Sequence, residues 1–355
     1  MPDKTNILVT GVSGFLGNRV AERLLELPGY NVIGLDVEKP AEELKGLDFI
    51  QADIRNPLII ELIRTENIDI VCHLGFFESD RPNESAFDFN VMGTMKLFGA
   101  CAEAGIQRII FKSSTWVYGA NPSNSAFLNE KQPLRGSRTY GSARDLLEIE
   151  SFCNGFRQQS PEIALTILRF APIIGPGVDT PMTRFLKDSF APVLLGFDPR
   201  MQVIHEDDVV GAIVHALSTE SRGDYNVAAA GVMPLTRLTG MVGKPPLLVP
   251  HFCPYWRTRW FGNLQSIIHW PIEPDYLRYH CVANTKKMDN ELLYTPRYTA
   301  EEALREFAGI RRMSEYSPRP SSLFYDEDRL RDTIERRRRD KQRSSENPIK
   351  PTGGG

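Results

Sequence analysis

Short apolar segments alternate with amphipathic segments through the first half of the chain. Strand-like runs lie at residues 6–10, 31–35, 49–50, 68–71, 109–111 and 165–168. Apolar residues at helical spacing follow Gly17 and recur over about 57–64, 87–104 and 139–157. Strands that alternate with helices predict βαβ units with right-handed crossovers. The predicted fold class is therefore α/β, with a Rossmann doubly wound parallel sheet covered by helices on both faces.

Beyond Gly175 the pattern becomes irregular, and prolines and aromatic residues cluster over residues 245–279. Three tryptophans and one phenylalanine in this stretch predict a second core, and they are Trp256, Trp260, Phe261 and Trp270. An apolar substrate pocket and a membrane contact are the alternatives. From Ser322 onward the chain is charged, so residues 311–355 are predicted to form a partly disordered tail. Acidic residues beside Arg336–Arg339 favour a solvated helix over a nucleic-acid contact.

The composition is that of a soluble globular enzyme. The 355 residues are 41% hydrophobic and 25% charged, with a formal net charge of −3, which argues against nucleic acid and anionic membranes as partners. No apolar run approaches the ~20 residues of a membrane span, and neither a membrane span nor a signal peptide is expected. Five cysteines without metal-ligand spacing predict reduced thiols, no bound metal and a cytoplasmic location.

A glycine-rich turn, Thr10-Gly11-Val12-Ser13-Gly14-Phe15-Leu16-Gly17, lies between the first strand and the first helix. In such a turn the first glycine permits the tight bend, the second admits a pyrophosphate and the third allows close helix–strand packing. The N-terminus of the helix attracts the phosphates. The loop residues Gly11, Ser13, Gly14, Phe15, Leu16 and Gly17 are thus candidate dinucleotide-binding residues.

Further cofactor candidates follow the next strands. Asp36 lies 19 positions after Gly17 (36 − 17), where a carboxylate accepts hydrogen bonds from ribose and repels a 2′-phosphate, so NAD is expected rather than NADP. Asp53 and Ile54 border the adenine or, equally, Asp53 caps a helix. After the fourth strand, Leu74 and Gly75 are expected to contact the cofactor through their backbone, and His73 is expected to be a satisfied buried histidine.

These segments resemble the extended short-chain dehydrogenase/reductases, the NAD-dependent epimerase/dehydratase family with its UDP-glucose 4-epimerase-like members. The resemblance covers about residues 5–310 and rests on TGVSGFLG, NVMGT, SSTWVYG, YGSAR, LRFAPIIGPG and VIHEDDV. It implies an NAD-binding Rossmann domain over 1–175, to which a segment near 203–228 returns. It also implies a smaller interleaved C-terminal substrate domain, mainly residues 176–310, and a homodimer.

By the same resemblance Tyr140 is the catalytic acid/base and also a cofactor-binding residue, Ser114 is the partner hydroxyl of Tyr140, and Asn90 is an active-site asparagine. The family carries a lysine four residues after the tyrosine, and this chain has Arg144 instead. A phenol that acts as a base near neutral pH needs its pKa lowered by about three units, roughly 4 kcal/mol. A guanidinium at ~4 Å can supply that much, so Arg144 is expected to lower the pKa of Tyr140 and to bind ribose.

The substrate side departs from the pattern of nucleotide-sugar enzymes. Pro172 replaces an asparagine and Met201 replaces an arginine, while Arg184 and Arg200 are candidates to compensate. Thr115 is a further weak substrate candidate. The segment His205-Glu206-Asp207-Asp208 is expected to cap a helix and to tie the two domains together.

The predicted function is oxidation of a secondary alcohol in an NAD-dependent epimerase/dehydratase-type reaction, with hydride transfer assisted by Tyr140. A nucleotide sugar is the candidate substrate. One alternative is a non-catalytic NAD(P)-binding sensor or scaffold, which is favoured by the departures from the family pattern at Arg144, Pro172 and Met201. A second alternative is a reductase of an apolar hydroxy-ketone, which rests on the aromatic C-terminal half alone.

Overall fold

The computed structural model describes residues 4–188, 190–250 and 272–316. Residues 1–308 form one compact unit and residues 309–355 a second, of which only the end of one helix is described. The aromatic segment from Trp256 to Trp270 and the Arg336–Arg339 run lie outside the described residues. The predictions of a second core at those aromatic residues and of a disordered tail therefore stay predictions.

A seven-stranded parallel sheet forms the centre of the first unit, in the order β11-β6-β5-β4-β1-β2-β3. Its strands are β1 (Thr5–Thr10), β2 (Tyr30–Asp36), β3 (Asp48–Gln51), β4 (Ile70–His73), β5 (Arg108–Ser114), β6 (Ala164–Phe170) and β11 (Gly223–Val227). The order reverses between β1 and β4, and this reversal opens a crevice at the carboxyl ends of the strands. The predicted doubly wound Rossmann sheet is confirmed.

Helices cover both faces of the sheet because the strands are apolar on both sides. The first face carries α1 (Phe15–Leu25) and α7 (Glu206–Ser218), and the second carries α2 (Ile59–Thr65), α4 (Gly93–Ala104) and α5 (Gly141–Gln159). A short helix, α3 (Glu84–Phe87), leads through a π-helical turn, Asp88–Met92, into α4. In α1 the buried side chains Val20, Ala21 and Leu24 recur at helical spacing.

The chain after β6 builds smaller elements beside the sheet. Three strand pairs join β7 (Ile173–Ile174) to β10 (Ile204–His205), β8 (Ala191–Leu194) to β13 (Pro246–Val249), and β9 (Arg200–Met201) to β12 (Met233–Pro234). The helices are α6 (Pro181–Lys187), α8 (Leu235–Met241) and α9 (Ala300–Tyr316). They share a separate apolar core that includes Trp116, Phe185 and Leu235.

Three of the four cysteines within the described residues are buried, and all four are free thiols: Cys72, Cys101, Cys153 and Cys281. The described part of the chain holds no group of three or more potential metal ligands. No described helix is long and apolar enough to cross a membrane.

Candidate active site

The glycine-rich loop lies at the crevice between β1 and β4. Gly11 has a φ of 74°, and a Cβ there would lie 2.5 Å from the backbone nitrogen of Gly75. A Cβ on Gly17 would overlap the Gly11 carbonyl. Both positions therefore exclude any side chain, which allows α1 to begin close against the end of β1.

The loop forms one wall of a pocket. The pocket is lined by Gly11, Ser13, Gly14, Asp36, Val37, Glu38, Leu74, Gly75, Phe76, Phe77 and Phe89. The Asp36 carboxylate is fixed at the end of β2, where it accepts hydrogen bonds from the backbone nitrogens of Ser13 (2.9 Å) and Val37 (2.7 Å). The fold thus brings together six of the residues predicted to bind a dinucleotide, namely Gly11, Ser13, Gly14, Asp36, Leu74 and Gly75.

Three of the predicted loop residues do not line this pocket, namely Phe15, Leu16 and Gly17. The Phe15 ring occupies the space that a side chain on Gly177 would need, and the Arg19 guanidinium lies 5.7 Å from its centre. Leu16 packs against the apolar core on the α1 side of the sheet. Their contacts in this structure are those of residues that fix the start of α1.

Asp53 and Ile54 also lie outside the lining of the glycine-loop pocket. The Arg55 guanidinium binds the Asp53 carboxylate, with Nη2–Oδ2 at 2.6 Å, and thereby lowers its pKa. Asp53 accepts from the Arg55 backbone nitrogen but is not the N-cap of α2, which is Leu58. Ile54 is buried against Gly93. Neither of the two expected roles is evident in these contacts.

His73 is a buried histidine with both ring nitrogens satisfied. Nδ1 lies 2.6 Å from the hydroxyl of Thr10, and Nε2 lies 2.9 Å from that of Thr94. Burial lowers the pKa of His73 to about 3, so the ring is neutral near pH 7. The expected structural role of His73 is confirmed.

Asn90 lies in the π-helical turn, buried between two elements of the crevice. Its amide donates to and accepts from the backbone of Phe77, at 2.9 and 2.8 Å, and donates to the Asp145 carboxylate at 3.0 Å. Asn90 therefore holds the segment after β4 against α5. The expected role of Asn90 as an active-site asparagine stays a prediction.

A second pocket adjoins the first, and the two share Phe76. Its wall includes the predicted catalytic residues Ser114 and Tyr140, from the end of β5 and the start of α5. Apolar side chains form much of the remaining lining: Phe76, Trp116, Ala143, Leu146, Phe170, Ala171, Pro172, Ile173, Pro181 and Met182. The predicted Ser114 and Tyr140 thus line the same pocket beside the crevice.

The Tyr140 phenol donates a hydrogen bond of 3.0 Å to Asp80 Oδ1. Burial raises the pKa of Tyr140, and the negative charges of Asp80 and Glu78 raise it further, whereas the Arg184 guanidinium lowers it. Arg184 reaches this group because its Nη1 lies 3.7 Å from Asp80 Oδ1. The phenol of this structure is therefore protonated across the neutral range, with a carboxylate as its hydrogen-bond acceptor.

Arg144 has other contacts than those expected. Its Nε and Nη2 bind Asp145 Oδ1 at 3.0 and 2.8 Å, and its guanidinium lies 4.8 Å from the centre of the Phe87 ring. The Asp145 side chain is only 1% exposed and requires a cation beside it. The expectation that Arg144 lowers the pKa of Tyr140 finds no support here, because that charge is neutralised by Asp145.

The weaker substrate candidates are divided. Pro172 lines the second pocket. Arg184 does not line it, but its guanidinium lies 3.7 Å from the Asp80 carboxylate that accepts the hydrogen bond from Tyr140. Thr115 is buried in the turn after β5. Arg200 is exposed on β9 and is not among the described residues that line this pocket.

The segment at the start of α7 caps the helix, as predicted. His205 Nδ1 accepts from the Asp207 backbone nitrogen at 3.2 Å. Asp208 accepts from the backbone nitrogens of Arg297 and Tyr298, at 2.7 and 3.0 Å. That the segment ties the two predicted domains together stays a prediction.

Three charged residues of the site were missed at the level of sequence, namely Glu78, Asp80 and Lys112. Glu78 and Asp80 follow β4 on an irregular segment, for which local sequence offers no signal. Lys112 could have been found, because it lies two positions before Ser114 on β5 and alternate residues of a strand share a face. Both Lys112 and Ser114 line the second pocket.

Comparison with known proteins agrees with this geometry. Residues 7–228 match the family model described as "NAD dependent epimerase/dehydratase family". The uncharacterized protein Rv0501 of Mycobacterium tuberculosis is 34% identical over 314 residues, which cover 85% of this chain and 82% of that protein. The UDP-glucose 4-epimerase of Neisseria meningitidis serogroup C is 30% identical over 184 residues, 48% of this chain and 53% of that enzyme.

Two solved structures share the fold. The UDP-glucose 4-epimerase of Thermotoga maritima, solved with UDP-glucose, superposes with a TM-score of 0.68 at 20% identity and covers 87% of this chain and 99% of its own. The UDP-glucuronic acid 4-epimerase of Bacillus cereus superposes with a TM-score of 0.69 at 21% identity, covering 87% and 100%. With a family model that matches well over half of its length, the chain belongs to the NAD-dependent epimerase/dehydratase family.

Proposed function

We propose that this protein oxidises a secondary alcohol of a nucleotide sugar with NAD, in an epimerase or dehydratase reaction. The observation that carries the proposal is the junction of the two pockets at Phe76. The glycine-loop pocket suits the adenosine and pyrophosphate of a dinucleotide, and the adjoining pocket presents a serine hydroxyl and a phenol. Family membership and relatives that are UDP-glucose 4-epimerases support this substrate class.

The glycine loop, Asp36, Leu74 and Gly75 would hold the dinucleotide, whose nicotinamide supplies the hydride acceptor. Ser114 would then donate a hydrogen bond to the oxygen of the reacting carbon as it becomes a carbonyl. Tyr140 would take the proton of the substrate hydroxyl while its own proton passes to Asp80, its hydrogen-bond acceptor at 3.0 Å. This relay needs no free phenolate, so the raised pKa of Tyr140 is compatible with turnover.

A non-catalytic dinucleotide-binding protein is the second candidate. It is favoured by the protonated phenol and by the commitment of Arg144 to Asp145. Such a protein would bind NAD without converting any substrate. Pairing of two copies into a homodimer also remains a prediction.

We expect purified protein to retain or bind NAD and to convert at least one UDP-hexose or UDP-uronic acid. Mass spectrometry of small molecules released on denaturation identifies the dinucleotide, and chromatography of the sugar nucleotides detects the product. A panel of apolar hydroxy-ketones serves as the comparison set. Binding of NAD without turnover on either panel would reject the enzyme and leave the non-catalytic candidate.

We expect Asp36→Asn to reduce the preference for NAD over NADP by about tenfold or more, because it removes the charge that repels a 2′-phosphate. Calorimetric titration with each dinucleotide measures the two affinities. The control is Asp48→Asn, which removes the same charge from an exposed residue of β3. Equal preferences in Asp36→Asn and the unaltered protein would show that Asp36 does not select the cofactor.

A further inference from the structure

The second pocket contains two opposite charges whose roles are still open. Glu78 and Lys112 both line it, Glu78 from the segment after β4 and Lys112 from β5. They are the charged members of the described lining. The pocket is otherwise built of apolar side chains, serines, a threonine and the Tyr140 phenol. Lys112 is half-buried, and a charge in such surroundings is costly unless a partner or a ligand compensates it.

Neither side chain has a hydrogen bond or a salt bridge to any residue in the described parts of the chain. The Lys112 Nζ lies 5.9 Å from the centre of the Phe76 ring, a weak cation–π contact. Burial lowers the pKa of Lys112, and the negative charge of Glu78 raises it. The two groups therefore influence each other across the pocket but lie too far apart for a salt bridge.

Lys112 and Glu78 lie close to Phe76, the residue that the two pockets share. Phe76 belongs to both linings, two residues before Glu78, and Lys112 lies two residues before Ser114. A dinucleotide held by the glycine loop and extended along the strand ends would present its second ribose to this wall. A sugar that reacts at Ser114 and Tyr140 would occupy the same region.

We propose that Lys112 and Glu78 form a clamp for a vicinal diol, in which Lys112 donates to one hydroxyl and Glu78 accepts from its neighbour. The proposal deepens the proposed function and rests on it for the identity of the ligand. It gives this site a positive charge from β5 in place of Arg144, which Asp145 neutralises. The diol belongs either to the nicotinamide-side ribose or to the sugar of the substrate, each of which presents two adjacent hydroxyls.

The test is calorimetric titration of Lys112→Gln and Glu78→Gln with NAD, ADP, UDP-glucose and UDP. ADP lacks the nicotinamide-side ribose and UDP lacks the hexose, while each keeps the ribose next to its base, so the two serve as internal controls. We expect either variant to lose about tenfold or more in affinity for one complete ligand, the usual size of a lost charge-assisted hydrogen bond. The affinities for ADP and UDP should stay unchanged. Loss for NAD assigns the clamp to the ribose, and loss for UDP-glucose assigns it to the sugar.

Lys112→Arg, which keeps the charge, is expected to restore most of the affinity, and Lys131→Gln, at an exposed lysine, to change nothing. Unchanged affinities for all four ligands would overturn the proposal, as would equal losses for ADP and UDP, which indicate a structural defect. If Lys112→Gln does not fold, Glu78→Gln decides by the same criteria, because the Glu78 side chain is exposed. A protein that binds NAD but turns over no substrate would reject the proposed function, while the NAD and ADP titrations still decide the clamp.

Discussion

Tyr140→Phe is expected to lower kcat by about 10²–10⁴-fold, the usual contribution of a positioned acid–base group. The substitution removes the phenolic oxygen that would take the substrate proton and the hydrogen bond to Asp80. The ring remains, so its edge-on contact with Trp116, with centroids 6.1 Å apart, is kept. Steady-state turnover with the substrate identified in the panel measures the effect, and NAD affinity is expected to change little.

The matched control is Tyr276→Phe. Tyr276 is a buried tyrosine beside Trp116, and its hydroxyl donates to the Trp116 carbonyl at 2.8 Å, outside the lining of the second pocket. Its loss should leave kcat within a few-fold of the unaltered value. Undiminished turnover in Tyr140→Phe would remove the mechanism, whatever the control shows.

Asp80→Asn separates a relay from a free phenolate. If Asp80 takes the phenol proton, the variant loses turnover at every pH. If instead a phenolate is the base, removal of a negative charge that raises the pKa of Tyr140 shifts the rise in activity to lower pH. We expect the first result, and a pH profile of kcat measures it.

Glu150→Gln is expected to lower the free energy of unfolding by about 3 kcal/mol, because it leaves the buried charge of Arg169 incompletely compensated. Only 1% of the Glu150 side chain and 4% of the Arg169 side chain are exposed. Glu150 on α5 binds Arg169 on β6 with Nη2–Oε2 at 2.5 Å and accepts from Ser113 on β5 at 2.5 Å. Asp224, at 2.9 Å from Arg169, keeps the loss at the lower end of the range for broken buried pairs.

Urea denaturation followed by circular dichroism measures this loss. The control is Glu148→Gln on the same helix, which removes an exposed pair with Arg138 at 3.5 Å and should change stability by no more than about 0.5 kcal/mol. A loss in Glu150→Gln no larger than in Glu148→Gln would contradict the role assigned to the buried pair. It would also leave unexplained how α5, which begins after Tyr140, is fixed against β5.

The local pattern of apolar residues was sufficient to predict six strands of the central sheet and helices that cover it. The apolar runs at β1, β2 and β5 and the helical spacing after Gly17 report burial on one or two faces, and burial follows the same periodicity in the fold. The glycine turn was equally readable. The need for Gly11 and Gly17 is a backbone constraint that sequence expresses directly.

The charges around Tyr140 could not be predicted from the local sequence. The i, i+4 spacing placed Arg144 on the face of Tyr140, but a long side chain on that face turns toward the nearest buried carboxylate, Asp145. The group that holds the phenol is Asp80, which lies 60 residues earlier in the chain. Contacts between residues so far apart in the sequence depend on how the segment after β4 packs against the start of α5, and no local pattern encodes that packing.

The sequence by itself determined the parallel sheet, six of its seven strands in chain order and the tight backbone turn at Gly11, since periodicity and glycine placement act within a few residues. Only the tertiary structure decided which charges surround Tyr140 and that Lys112 and Glu78 share its pocket. The physical reason is that the energy of a charge depends on the groups and the water around it in space, and these come from distant parts of the chain.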